Sequence, residues 1–188
     1  MARQVDPVLA RSRLAFRGHF GWQSADMADG RRALLARFAP DGVVFGGPVA
    51  RVDVAATYAE WDALVFLISG GRYMTSGKIY EYMSTGLPIM SAHDGDHGAL
   101  EVLRGYPPWI PPPAKIATDL LSESFVAFAR TVLSATEKQR EAALVHASPC
   151  QRRGQLAPAV RDLVDCMGEP PPLADRHQGD LTRASSPT

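Results

Sequence analysis

"ALVFLISGGRYMTSGKIYEYMSTGLPIMSA", Ala63–Ala92, decides how the chain folds. Its first six residues are a continuous apolar run, the kind of strand that a parallel sheet buries on both faces. Lys78 to Thr85 places Ile79, Tyr82 and Met83 at helical spacing. Gly86 then stands at the left-handed stop position, with Pro88 just beyond. "PIMSA" is a second strand. A strand, a helix and a strand in so few residues imply a parallel pair joined by a crossover.

The same alternation extends on both sides. "RLAFRGHF" (Arg13–Phe20) reads as a strand, "SADMADGRRALLARFA" (Ser24–Ala39) as a helix, and "GVVFGGPV" (Gly42–Val49) as a short buried strand. "VDVAATYAEW" (Val52–Trp61) and "DHGALEVLRGY" (Asp96–Tyr106) read as helices, and "PWIPPP" (Pro108–Pro113) as a proline-limited edge strand. The expected fold is therefore α/β: a doubly wound, Rossmann-like parallel sheet. Ligands of such sheets sit at the carboxyl ends of the strands. Past Pro113 the pattern turns helical over Ile116–Leu133, Ala135–Val145 and Gln155–Met167. The expected organisation is a flexible N-terminus over 1–12, one domain with C-terminal helices over 13–168, and a disordered tail over 169–188.

Composition narrows the function. Twenty basic residues balance twenty acidic ones among 188, which argues against a nucleic-acid binder. No apolar run is long enough to span a membrane, and "MARQVDPVLARSR" lacks the apolar centre of a signal peptide. The expected location is the cytoplasm, with a peripheral position on the inner membrane face as the alternative. Cys150 and Cys166 make neither a disulfide framework nor a metal site.

The glycines and the lysine after Ser69 suggest a phosphate site. A nucleoside-triphosphatase loop would need glycine at Arg72 and a hydroxyl at Ile79, so that motif fails. A dinucleotide fingerprint fails as well, because Gly18, Gly21 and Gly46-Gly47-Pro48 have the wrong spacing or setting. A third reading uses the start of the helix. Ser76 caps it, Gly77 permits close approach, Lys78 supplies charge for a diphosphate, and Glu81 one turn later accepts from vicinal ribose hydroxyls. The same two residues also fit a plain i,i+3 ion pair on a solvated helix. His93, Asp94, Asp96 and His97 resemble a metal cluster, but Gly95 interrupts helical spacing and no further ligand is apparent, so no metal is expected. Asp96 is read as the cap of the next helix. No serine or cysteine has a base placed by motif.

Val43, Phe45, Gly47 and Val49, then Tyr58, Asp62 and Ala63, then Ser76, Gly77, Lys78, Glu81, Tyr82, Gly86 and Pro88 follow one another in a recognisable order. In this the chain resembles the C-terminal, nucleotide-sugar-binding domain of GT-B glycosyltransferases, especially the retaining group of family four. The resemblance spans roughly Leu14 to Pro113. It implies hexosyl transfer from a nucleoside-diphosphate sugar, uridine or guanosine type, without a cofactor or metal. Lys78, with Ser76 and Gly77, would hold the diphosphate and Glu81 the ribose. The Gly46, Gly47 and Val49 loop would lie against the base, and His19, Phe20, His93 and Asp94 would line the cleft. Two departures qualify the match. Tyr73 stands where many members carry a first glutamate, so no residue is assigned the chemical step. The facing N-terminal domain and the first strand of this one are not visible before Arg13. The resemblance thus implies a donor-binding half that needs a polypeptide carrying the other domain. The alternative is a non-catalytic nucleotide-binding or interaction module derived from such an enzyme.

Overall fold

The computed structural model describes residues 6–18, 25–68, 76–93 and 97–167. Its strands are short apolar runs: β1 (Leu14–Phe16), β2 (Val43–Phe45), β3 (Leu64–Leu67), β4 (Ile89–Ala92) and β5 (Trp109–Ile110). The helices are α1 (Pro7–Arg11), α2 (Ala25–Ala36), α3 (Val54–Ala59), α4 (Gly77–Met83), α5 (Ala99–Leu103), α6 (Thr118–Ser134), α7 (Glu137–Ala147) and α8 (Arg152–Met167). Every strand pairing is parallel, β1 with β2, β3 with β4 and β4 with β5. Parallel neighbours cannot be joined by a tight turn, and here each consecutive strand is reached through one of α2 to α5. The α/β class and the strand–helix order are those legible in the sequence.

The strands form two ladders, β1–β2 and β3–β4–β5, with β5 at an edge. Proline-rich sequence after Ile110 suits that place, because proline cannot donate to a further ladder. In β4, Ile89, Met90 and Ser91 are all buried. Successive strand residues point to opposite faces, so β4 is covered on both. Part of that cover is α6, which packs on β4 and β5, while α7 packs on α4. Leu64, Phe66, Ile79, Met83, Ile89 and Leu103 make the centre of the core.

Local chemistry sets the limits of α4. The Ser76 hydroxyl accepts the Lys78 N–H at 3.3 Å at its start. Past its end Gly86 sits at φ +71°, a left-handed conformation that favours glycine. The helix spans seven residues.

Two boundaries differ from the sequence reading. Residues 6–12 were expected to be flexible, yet Pro7–Arg11 is a helix. The Asp6 carboxylate accepts from the Val8 and Leu9 N–H groups at 2.9 and 3.2 Å, Pro7 fits the first helical position, and Leu9 is buried as α1 packs on α6. The chain also divides into two compact units after Gln151, whereas the domain was expected to run to residue 168. Helix α8 belongs to the second unit and carries exposed Leu156, Val160, Leu163, Val164 and Met167. The expected tail, 169–188, lies outside the described residues.

Candidate functional site

The residues that the sequence singles out fall into three groups at the carboxyl ends of the strands. The first surrounds α4. Lys78 and Glu81 are one turn apart, and Lys78 Nζ donates to Glu81 Oε2 at 2.8 Å. Their side chains are 55% and 51% exposed. The Tyr58 hydroxyl, brought in from α3, donates to the same Glu81 oxygen at 3.3 Å, and Lys78 Nζ reaches the Tyr58 oxygen at 3.5 Å. A cation, a carboxylate and a phenol thus form one hydrogen-bonded triangle. Burial pushes the Tyr58 phenol up from its ordinary value, against the pull of the Lys78 charge. The hydrogen bond to Glu81 raises Lys78 above its ordinary value, so its ammonium is charged at neutral pH.

Packing fixes the triangle from behind. Ile79 and Met83, on the other side of α4, are fully buried. The Tyr58 ring meets Trp61 and Tyr82 edge-on at centroid distances of 5.5 and 5.8 Å. Tyr82, raised by burial, continues to Phe66 at 6.2 Å, and Phe66 to His93 at 6.1 Å. Ser76 and Gly77 stand at the start of the same helix as expected. On so short a helix the macrodipole is small, and attraction for an anion rests mainly on the Lys78 charge.

The second group is the loop after β2. Gly47 has φ +71°, and its carbonyl accepts the Gly18 N–H at 2.9 Å. Arg17 Nη1 donates to the Gly46 carbonyl at 2.9 Å. A Cβ on Gly46 would meet that guanidinium, the far end of a flexible side chain that can swing aside. These bonds tie Gly46 and Gly47 to the exit of β1, while those of Lys78 run to Tyr58 and Glu81. Val49 is half-buried in the same loop.

The third group lies at the end of β4. His93 and His97 are 2% and 3% exposed, with rings 4.9 Å apart. His93 is therefore buried behind the surface it was expected to line. The Ala99 N–H donates to His97 Nδ1 at 3.0 Å, so the first turn of α5 finds its acceptor in an imidazole. Burial first, and the neighbouring His93 second, hold His97 below the usual histidine range. His19, Phe20, Tyr73, Asp94 and Asp96 lie outside the described residues. Among the described residues no three potential metal ligands stand together.

Tyr58 is the neighbour of the Lys78–Glu81 pair that sequence reading left without a role. It sits 20 residues before Lys78, and only the packing of α3 against α4 brings its hydroxyl to the pair.

No protein-family model matches the chain, and no curated protein does. Among solved structures, sucrose-phosphate synthase (tll1590) from Thermosynechococcus elongatus is similar at 16% identity and a TM-score of 0.47. The match covers 87% of this chain and 43% of that one, so the chain spans less than half of that protein's length.

Proposed function

We propose that the chain binds a nucleoside-diphosphate sugar, uridine or guanosine type, as the donor-holding part of a glycosyltransferase. The observation that carries this reading is the triangle of Lys78, Glu81 and Tyr58. Lys78 offers the diphosphate a permanent charge. Glu81 has lone pairs for two vicinal ribose hydroxyls, and Tyr58 fixes the carboxylate's orientation. An exposed i,i+3 ion pair contributes only about 0.3–0.5 kcal/mol. A diphosphate offering charge-assisted hydrogen bonds of about 1.5–3 kcal/mol can therefore part it. The order of motifs from Val43 to Pro88, noted above, agrees with this reading, and so does the place of the triangle at the start of the helix that follows β3.

In this account transfer also requires an acceptor-holding domain facing this one. Alignment of acceptor and donor is worth roughly 7–11 kcal/mol of barrier, and a facing domain would supply it while excluding water. The triangle itself has no group placed to act on a sugar carbon. A second reading, a binding or interaction module without catalysis, is favoured by that same lack of a placed catalytic group. Titration calorimetry with uridine and guanosine diphosphates, on the parent chain and on Lys78→Ala and Glu81→Ala, tests the shared binding step. Donor turnover with and without a candidate partner domain separates the two readings.

A further inference from the structure

Among the described residues the buried polar side chains are Ser91, His93 and His97, and all three gather at the end of β4. Ser91 has a partner, since its Oγ accepts the Trp109 indole N–H at 3.0 Å. His97 is satisfied at one nitrogen only. Its Nδ1 accepts the Ala99 N–H, while its Nε2, equally buried, has no hydrogen-bond partner among the described residues. A neutral imidazole has one lone-pair nitrogen and one N–H. The bond from Ala99 takes the lone pair at Nδ1, so the hydrogen sits on Nε2. That tautomer bars Nε2 from ligating a metal. It also leaves Nδ1 as the one place where a further proton can go.

A proton at Nδ1 would set two donors, the new N–H and that of Ala99, against each other at 3.0 Å. It would also bury a charge beside a second histidine, His93, the titratable group that acts on the ring. The charged groups of the elements around it are engaged elsewhere. Lys78 and Glu81 on α4 bond to each other, and Glu101 on α5 bonds to Arg104, both pairs exposed. Asp94 and Asp96 lie outside the described residues. A charged His97 is therefore stable only in water, and the turn it holds must open for it to get there. That turn hangs on His97 twice, because the His97 carbonyl accepts the Leu100 N–H at 3.0 Å. The far end of α5 is anchored separately by Leu103, fully buried in the core.

We propose that His97 is an acid-operated latch: a proton taken up at Nδ1 breaks the bond to Ala99 and frees the first turn of α5, while the sheet and Leu103 stay in place. Burial first, and His93 second, keep the closed ring neutral, so the latch is shut at neutral pH. Once open, the ring titrates at its ordinary 6.5; closed, it titrates lower. Between those two values each pH unit of acid favours opening by up to about tenfold, and above them opening does not depend on pH. The inference stands apart from the nucleotide reading, and its test contains no nucleotide.

Two NMR measurements on the full chain test it. Long-range proton–nitrogen correlation in mildly alkaline buffer should show His97 with its hydrogen on Nε2; a hydrogen on Nδ1 overturns the proposal. Amide hydrogen exchange, corrected for its intrinsic pH dependence, should show Ala99 protection level above pH 6.5 and lower by about tenfold or more in mild acid. The Ile89 amide of β4, bonded to the Pro108 carbonyl at 2.9 Å, should keep its protection. His97→Asn, which retains an acceptor for Ala99 but takes up no proton, should hold Ala99 protected throughout. Ala99 protection that persists in acid, as when a carboxylate such as Asp96 pairs the charged ring in place, overturns the proposal. So does a loss that His97→Asn shares, or one that Ile89 joins, which marks general acid unfolding.

Discussion

Lys78 Nζ and a Glu81 carboxylate oxygen lie 2.8 Å apart on α4, each side chain about half exposed, with the Tyr58 hydroxyl touching both. A pair so open to solvent adds little to folding and can exchange its partner for a ligand. Two residues on one short helix therefore separate cleanly by substitution. Lys78→Ala should cost at most about 0.5 kcal/mol in denaturant unfolding. Ile79→Ala, which empties a fully buried position beside it, should cost about 2–5 kcal/mol.

The pair also sets an alkaline signature. The hydrogen bond to Glu81 raises Lys78 above its unfolded value, so the folded chain holds that proton more tightly. The contribution is whole below the unfolded value of 10.5 and is lost as pH rises through the folded one. Thermal melts of Glu81→Gln and the parent should run parallel through neutral pH. They should converge only in strongly alkaline buffer.

His97 has the opposite sign. Burial holds it below the usual range, so the unfolded chain takes up its proton first as pH falls. Stability should be level above the unfolded value of 6.5 and should decline below it, through the folded value. His97→Asn keeps an acceptor for the Ala99 N–H and removes the titration. Its unfolding midpoint should change less between neutral and mildly acidic buffer than the parent's.

Gly86 answers for the end of α4. A Cβ there would stand 2.9 Å from Arg140 Cγ and 3.1 Å from the Arg140 carbonyl oxygen, on a backbone at φ +71°. The backbone term alone is about 1–2 kcal/mol, and overpacking adds about 1–3 kcal/mol. Gly86→Ala should lower the melting temperature by several degrees, and a preserved far-ultraviolet spectrum at low temperature would locate the loss in packing.

Much of the fold was legible because its signals are local. The apolar run of β3, the Ser76 cap, the Gly86 stop and the prolines after β5 each act within a few residues. The α1 helix had a local signal too, Asp6 followed by Pro7, but five residues carry little periodicity, and Leu9 gains its burial only on α6. What stayed hidden depends on distant contacts. The Tyr58 hydroxyl reaches Glu81 across 23 residues, and His93 disappears into the interior because Phe66 and His97 close over it. No spacing rule encodes either. The break between β1–β2 and β3–β4–β5 was equally invisible, since an unpaired edge strand and a paired one can share the same composition.

The central claim is that the triangle holds a nucleoside diphosphate, and titration calorimetry with uridine and guanosine diphosphates tests it most directly. At least one should bind the parent chain. Lys78→Ala and Glu81→Ala should each weaken that binding by about tenfold or more while unfolding like the parent. Tyr58→Phe, which loses only the orienting hydroxyl, should weaken it less. Absence of binding to the parent chain, or binding unchanged in both Lys78→Ala and Glu81→Ala, would contradict the account and leave Lys78 and Glu81 as a surface ion pair.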